Sequence, residues 1–532
     1  MTTNEGTVYA TAAPVQCPHQ PGASPVSLSA ITGAAVPALP TATQPTATQP
    51  ASTRESRRMP GPRGYPMVGV LPDILRHRTA LRVLKHAWKA HGDIVQLPLG
   101  PFTACFFAHP DAVKHVLVDN RNNYPRGQYQ IRWLSTALGD SLLSSEGAHW
   151  RRQRHFMQAP FTVKAIAGYA PAMTVVVQDV IDRWERYLAA GQSSFELTGE
   201  MVQLAMDALG RSILGFDTRA NIEPMNQGFL KMMSVMLRQA PAPLNLPLWM
   251  PTPENIRFKQ ALRQLDTIIF QTIRARRADP ETYSYASDVL SLMVRAQDDW
   301  GEGMLERHLR DEVMTLYFAG HETTAVGMTW AFYAIGRNPE VEARLHEEVD
   351  RVLDDGPLTA EAVDRLTYTD MIVRETLRLY PPVTMLPKDV REDDEISGYR
   401  VPRGAVAVIS PYLTQRHPEF WPDPERFDPE RHAPAAAEQR HRYSWFPFGG
   451  GYHSCMGAAF ALQEMKIAIA MIARRYRLIP ERETHPVELV NLRPFGGLRV
   501  RLVPRRSATS HGVGGASSED APSRSRCHAS HG

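Results

Sequence analysis

Three observations predict a single, mainly α-helical domain with small β-sheets. Apolar residues recur at helical spacing through most of the chain, one such run extends from Glu306 to Arg337, and strand-like runs are short and few. Residues 59–506 carry these signals. The flanks, residues 1–58 and 507–532, do not.

The first flank repeats Thr, Ala, Pro and Ser in scraps such as PTATQPTATQP, and the last is Ser, His, Gly and Arg without period. Such compositions bury too little apolar surface to offset the entropy of ordering them, so both are expected to be disordered tails. Order is expected to begin at MPGPRGYPMVG, Met59 to Gly69, where Pro and Gly stiffen and turn the backbone. Ile94–Leu99 and Thr103–Ala108 are short apolar runs joined by Gly100-Pro101, the pattern of a hairpin, and Pro98 assigns the first to a sheet edge. Farther on, Val177, Val180, Ile181, Trp184 and Leu188 fall at i, i+3, i+4, i+7 and i+11, with Gly191 as the stop. The long helix ends at Asn338-Pro339. Ile396–Pro402 and Ala405–Ser410 read as minor strands. No internal repeat is present.

Composition excludes several classes of function. With 59 basic and 56 acidic residues, the net charge of +3 is too small and too evenly spread for nucleic acid to be the main partner. Cys17, Cys105, Cys455 and Cys527 lie far apart, which rules out a disulfide framework or a CxxC zinc site and suits a reducing compartment. No basic start leads an apolar run at the N-terminus, and no window reaches about 18 apolar residues. A soluble, cytoplasmic monomer with no membrane span is expected.

Two stretches carry chemistry. FAGHETTAVG, Phe318 to Gly327, begins like a zinc-protease helix, in which histidines at i and i+4 share a metal. Position i+4 is Ala325, so the second ligand is missing and the zinc reading fails. The other stretch is FPFGGGYHSCMGAAFALQEMKIAIAMIARRY, Phe446 to Tyr476, a Gly-rich loop followed by an amphipathic helix that starts just past Cys455. A helix N-terminus favours thiolate, and loop amides can donate to the sulfur, so a lowered pKa is expected. Taken alone, Cys455 is a nucleophile, a redox sensor, a metal ligand or a buried structural thiol.

Spacing narrows that choice. Phe448, Gly451, Cys455 and Gly457 fit FxxGxxxCxG, and here the chain resembles the cytochrome P450 family, whose haem-binding signature this is. His453 falls where that family usually carries Arg or His. Three further signatures follow the family's order: ETLR at Glu375–Arg378, PERF at Pro424–Phe427, and WRRQR at Trp150–Arg154. The resemblance implies the P450 fold and haem b with Cys455 as axial ligand. It also implies Trp150 and Arg154 at a haem propionate, and a structural triad of Glu375, Arg378 and Arg426. Lys388 stands where similar proteins carry a propionate-binding arginine; lysine neutralises the charge but lacks the bidentate fork.

By the same resemblance the Glu306 helix crosses the distal haem face. Ala319 and Gly320 would leave room for oxygen and substrate, Thr323 and Glu322 would handle dioxygen and its protons, Thr324 would back-bond to the preceding turn, and His321 would be a variable position. The implied activity is a monooxygenase using O2 on a hydrophobic, terpenoid or fatty-acid-like substrate. Its electrons would come from a separate ferredoxin or flavodoxin with its reductase. The alternative is an isomerase or dehydratase that rearranges a peroxide without external electrons, and a haem-based gas binder is a third reading; the intact Glu322-Thr323 pair argues against both. Arg151, Arg152, Lys466, Arg474 and Arg475 are candidate contacts for the electron donor. The pocket is expected along Tyr124–Leu143, Met232–Met250, Val383–Leu386 and Pro494–Gly497, with Met314, Leu316, Phe318, Val383, Met385, Leu386 and Phe495 as apolar lining.

Overall fold

The computed structural model describes residues 57–505 apart from 78, 217–218, 240–248, 283–287, 298–300, 354–357 and 489. The two expected tails fall outside these residues, except that Arg57 bridges to Tyr399. Residues 240–248 of the expected Met232–Met250 lining also fall outside. Among the described residues no helix is long and apolar enough to cross a membrane.

The helices that position the site are α1 (Gln128–Leu138), α2 (Gly147–Phe156), α3 (Ala170–Ala189), α4 (Leu197–Leu214), α5 (Glu306–Arg337), α6 (Thr367–Leu379) and α7 (Ala458–Arg475). α5 has the bounds its apolar period predicts. Its last turn closes where Asn338 N–H donates to Ile335 O, and Pro339 then opens the next helix. α3 buries Val177, Val180, Ile181 and Trp184, the stripe predicted from spacing. These helices share one large core in which α5 packs between α4 and α7.

A four-stranded sheet lies to one side: β1 (Ile94–Leu99), β2 (Phe102–Phe107), β3 (Leu386–Asp389) and β4 (Val406–Ile409), in spatial order β1-β2-β4-β3. The predicted hairpin forms with Ile94 opposite Phe107, and Pro98 sits on an edge strand, where a missing N–H costs no ladder bond. β2 and β4 are parallel, and β3 runs antiparallel to β4 with Lys388 opposite Ala407. Ile396–Pro402 is not one strand. Ser397 and Gly398 take φ of 50° and 81°, so this stretch turns between Asp394–Ile396 and Tyr399–Val401 as a separate hairpin. A short strand, β5 (Leu492–Pro494), lies near the end of the described chain and touches α5.

Behind the site, Glu375 and Arg378 are fully buried and doubly bonded at 2.7 and 2.8 Å. The expected third member is different. Arg426 is exposed and offers only its carbonyl to Arg378, at 3.0 Å. Glu375 instead meets His432 Nε2 at 3.0 Å and Arg431 Nε at 3.6 Å, because a second Pro-Glu-Arg run, Pro429 to Arg431, reaches it and the first does not.

Candidate functional site

The loop before α7 is shaped by close backbone contact. Gly451 has φ of 63°, and a Cβ there would lie 2.0 Å from Leu117 O, so only glycine fits. Cys455 N–H donates to Phe448 O at 3.0 Å, which fixes the cysteine just ahead of α7. By surface area Cys455 is exposed, yet its sulfur lies deep among protein atoms. Depth decides its titration: burial raises the thiol pKa, against the opposing Gly457 N–H and the Arg154 charge. The lowered pKa expected from the helix end is therefore not found in the protein alone, because desolvation outweighs the Gly457 amide and the Arg154 charge.

Around this loop stands a cluster of cations. Trp150 on α2 is buried against Tyr452 and His453, with ring centroids 4.3 and 4.7 Å apart. Arg154, one turn on, lies 5.6 Å from that ring and donates to Ser454 O at 3.0 Å. Arg126 approaches the Trp150 ring to 5.9 Å, and its backbone bridges to Lys388 on β3. Lys388 is buried, and its ammonium has no ion-pair partner among the described residues; burial, then the charge of Arg126, pushes its pKa down to about 8. One acid balances the group. Although burial opposes it, Glu146 is held down at about 2 by His453, whose Nε2 lies 3.3 Å away, and by the Arg126 N–H.

Trp150 Nε1 is buried with no acceptor. An orphaned donor beside Arg126, Arg154 and Lys388, with Glu146 the one ion-paired acid among them in the described residues, is the chemistry expected of a site for carboxylates. These residues fit a haem. Lys388 and Trp150 are linked through Arg126, whose backbone bridges to the first and whose guanidinium approaches the ring of the second. Arg126 falls within the expected Tyr124–Leu143 lining without being singled out, and Glu146, just ahead of α2, was not anticipated; both join the site through tertiary contacts.

On α5, Leu316, Gly320 and Thr323 are half-buried and Ala319 is exposed, within a helix whose other central residues are mostly buried. Their spacing places them on one accessible strip. Thr323 Oγ1 donates to Ala319 O at 2.6 Å, so the back-bonding threonine is Thr323 and not, as expected, the buried Thr324. Gly320 also has a packing role. A Cβ on it would stand 2.9 Å from Leu209 Cδ2 of α4, so the missing side chain accommodates Leu209, and Ala319 is the residue that leaves open surface. Glu322 is buried and accepts from Arg493 of β5 at 2.6 Å, a partner 171 positions away. His321 Nδ1 lies 2.8 Å from Tyr317 O and its ring packs on Phe229; burial lowers its pKa, so it is neutral packing.

Of the expected apolar lining, Met314 is fully buried core, Leu316, Phe318, Met385 and Leu386 are half-buried, and Val383 and Phe495 are exposed. The expected docking cations disperse. Arg152 pairs with Glu302 and Arg475 with Glu185, while Lys466 lies 3.9 Å from Asp370. Arg474 and Arg475 end α7, about 26 Å along its axis from the cysteine loop at 1.5 Å per residue.

The family model for cytochrome P450 matches residues 59–497. The chain belongs to the cytochrome P450 family. Among its relatives, cyclooctatin synthase of Streptomyces melanosporofaciens is 35% identical, over 86% of this chain and 95% of that one. Cyclooctat-9-en-7-ol 5-monooxygenase of the same organism is 35% identical over 74% and 83%, and pentalenene oxygenase of Streptomyces avermitilis 30% over 80% and 96%. A solved cytochrome P450 haem domain superposes with a TM-score of 0.76 at 23% identity, covering 85% of this chain and 98% of that one. A cyanobacterial P450 bound to retinoic acid gives 0.71, also at 23%, over 84% and 99%. This P450 is a haem-thiolate monooxygenase.

Proposed function

We propose that the substrate is a terpenoid, that Cys455 is the haem ligand, and that electrons arrive from a separate acidic protein. Three of the relatives carry names that describe terpenoid oxidation, and the half-buried Leu316, Phe318 and Leu386 give the site the apolar lining such a skeleton needs. The observation that carries the reading is the pairing of an accessible Ala319–Thr323 strip with a cation cluster whose central donor, Trp150 Nε1, lacks an acceptor.

Bound haem supplies oxygen activation: R–H, O2, two electrons and two protons give R–OH and H2O. The chain's own residues bind, orient and move protons. Arg126, Arg154, Lys388, Trp150 and His453 hold the propionate side, and Phe448, Gly451 and Gly457 shape the loop that presents the Cys455 sulfur. Thr323 positions its hydroxyl over the strip, while its bond to Ala319 O fixes the rotamer. Glu322, paired with the half-exposed Arg493, is the acid that passes protons inward toward Thr323. Gly320 supports this helix by letting Leu209 approach. Arg121, whose guanidinium lies 5.0 Å over Tyr452 of the cysteine loop, and the exposed Arg151 replace the α7 arginines as contacts for a ferredoxin or flavodoxin. A cytoplasmic location follows from dependence on such a donor.

The test is a carbon monoxide difference spectrum followed by turnover of terpenoid panels in labelled dioxygen. The expected result is a red-shifted thiolate band and one labelled oxygen atom in product only when reductant is supplied. A product that keeps both oxygen atoms of a hydroperoxide and forms without reductant, with no labelled oxygen entering any terpenoid, would refute the terpenoid-oxidation reading in favour of rearrangement.

A further inference from the structure

The accessible strip on α5 ends at an acid. Glu312, Leu316, Ala319 and Thr323 fall at i, i+4, i+7 and i+11, so they share one face of the helix. The last three are half-buried or exposed, yet Glu312, one turn before Leu316, is fully buried. The loop of residues 139–146, between α1 and α2, runs along this end of the helix and is bonded to its edge. Arg310 Nη1 donates to Ala137 O at 3.1 Å, just ahead of the loop, Asp140 N–H to Asp311 Oδ2 at 2.9 Å, Leu142 N–H to Glu312 Oε1 at 2.9 Å, and Thr315 Oγ1 to Ser141 Oγ at 2.6 Å.

The loop is braced from within by its serines. Ser141 N–H donates to Ser144 Oγ at 2.9 Å, Ser144 Oγ to Gly139 O at 2.6 Å, and Ser145 Oγ to Ser141 O at 2.7 Å. On its other side Arg126 Nη1 donates to Leu142 O and, at 3.3 Å, to Ser145 O. Both groups of Leu142 are therefore engaged, its N–H by α5 and its C=O by the cation cluster. Among residues 141–145 only Leu143 is half-buried, and the other four are buried. Leu143 is thus the side chain that this end of the strip presents to accessible space.

Glu312 differs from the other polar groups in this seam. Arg310 pairs with Asp311 at 2.9 Å and with Asp266 at 2.6 Å, but Glu312 Oε2 is buried with no partner. Burial above all, with Asp311 and Asp140, pushes the Glu312 pKa up to about 8 against the Leu142 N–H, so at pH 7 it is a neutral carboxyl. An unsatisfied polar atom in the interior costs stability, and an apolar side chain of similar size would avoid that cost. What the carboxyl supplies in exchange is one acceptor, aimed at the backbone of the loop residue next to Leu143.

We propose that Glu312 is a positioning residue: through the Leu142 N–H it fixes the loop of residues 139–146 as the end wall of the substrate strip, so that Leu143 sets how far a substrate extends along α5 and which carbon is oxidised. The choice of substrate rests on the terpenoid reading; the clasp does not. The test uses full-length, haem-loaded protein and reads hydrogen–deuterium exchange of residues 139–146, then the product ratio from a terpenoid panel in labelled dioxygen. Glu312→Gln keeps an acceptor oxygen and should match the parent in both. Glu312→Leu removes it and should speed exchange about fivefold, the worth of one buried hydrogen bond, while changing the product ratio and KM more than kcat. Thr315→Val frees only the Ser141 hydroxyl and should shift both readouts the same way by less, which keeps the test alive should Glu312→Leu not fold. Unchanged exchange in the Leu and Val variants overturns the clasp, and so does a Gln variant that behaves like the Leu variant. Faster exchange with an unchanged product ratio overturns the positioning role and leaves Glu312 a packing residue. Exchange is read without substrate, so a panel with no oxidised terpenoid counts against the terpenoid reading alone, and a fatty-acid panel then supplies the product ratio.

Discussion

Replacing Lys388 with methionine should stabilise the haem-free protein and weaken its hold on haem, two effects of opposite sign from one side chain. Burial lowers the Lys388 pKa from the ordinary 10.5 to about 8. At 1.36 kcal/mol per pH unit, keeping this ammonium charged in the folded chain costs about 3 kcal/mol. The folded value lies below the unfolded one, so between pH 8 and 10.5 the unfolded chain binds more protons and stability rises with pH. Below pH 8 the full cost is present. Methionine fills similar volume without charge, so haem-free Lys388→Met should resist urea better by about 3 kcal/mol at pH 7 and by almost nothing above pH 10.5. A bound propionate reverses the sign by giving the ammonium a partner, and haem should transfer from the variant to apomyoglobin several-fold faster. Urea titrations at the two pH values and the transfer rate together decide the matter. Equal stability of variant and parent at pH 7, with unchanged haem transfer, would refute Lys388 as a buried cation awaiting an anion.

Four other outcomes are expected. Glu375→Ala should cost about 3–5 kcal/mol by leaving Arg378 buried and unpaired, whereas Arg426→Ala should stay within about 0.5 kcal/mol because only its carbonyl is used; chemical denaturation distinguishes them. Gly320→Ala should destabilise by about 1–3 kcal/mol through overpacking on Leu209, and Leu209→Ala should partly restore it; loss of oxygenation without loss of stability would return Gly320 to an oxygen-handling role. Burial, with Asp311 and Asp140 nearby, raises the Glu312 pKa to about 8, so its native form holds a proton the unfolded chain releases, and stability falls as pH rises from 4.5 to 8. Glu312→Gln should therefore gain stability above pH 8 and little at pH 4, read from thermal midpoints across pH. Arg493→Met should leave Glu322 without its partner, lowering kcat and changing its solvent deuterium effect more than KM.

The sequence alone determined what depends on local pattern. An apolar period long enough to be read without context set the bounds of α5, and FxxGxxxCxG located Cys455 and the tight loop that requires Gly451, because backbone geometry within a few residues demands those side chains. Trp150 and Arg154, one helical turn apart, were singled out by the resemblance rather than by spacing alone. Tertiary structure decided which distant groups complete the site. Arg126, Glu146 and Arg493 carry no local signal, since their value lies in partners tens to hundreds of positions away. His432 and Arg431 displaced Arg426 beside Glu375 because two similar Pro-Glu-Arg runs compete and only packing chooses between them. Leu209 packs against the helix where Gly320 lacks a side chain, and burial opposes the helix end at Cys455. In each case burial and long-range contact, which a linear pattern does not encode, fixed the outcome.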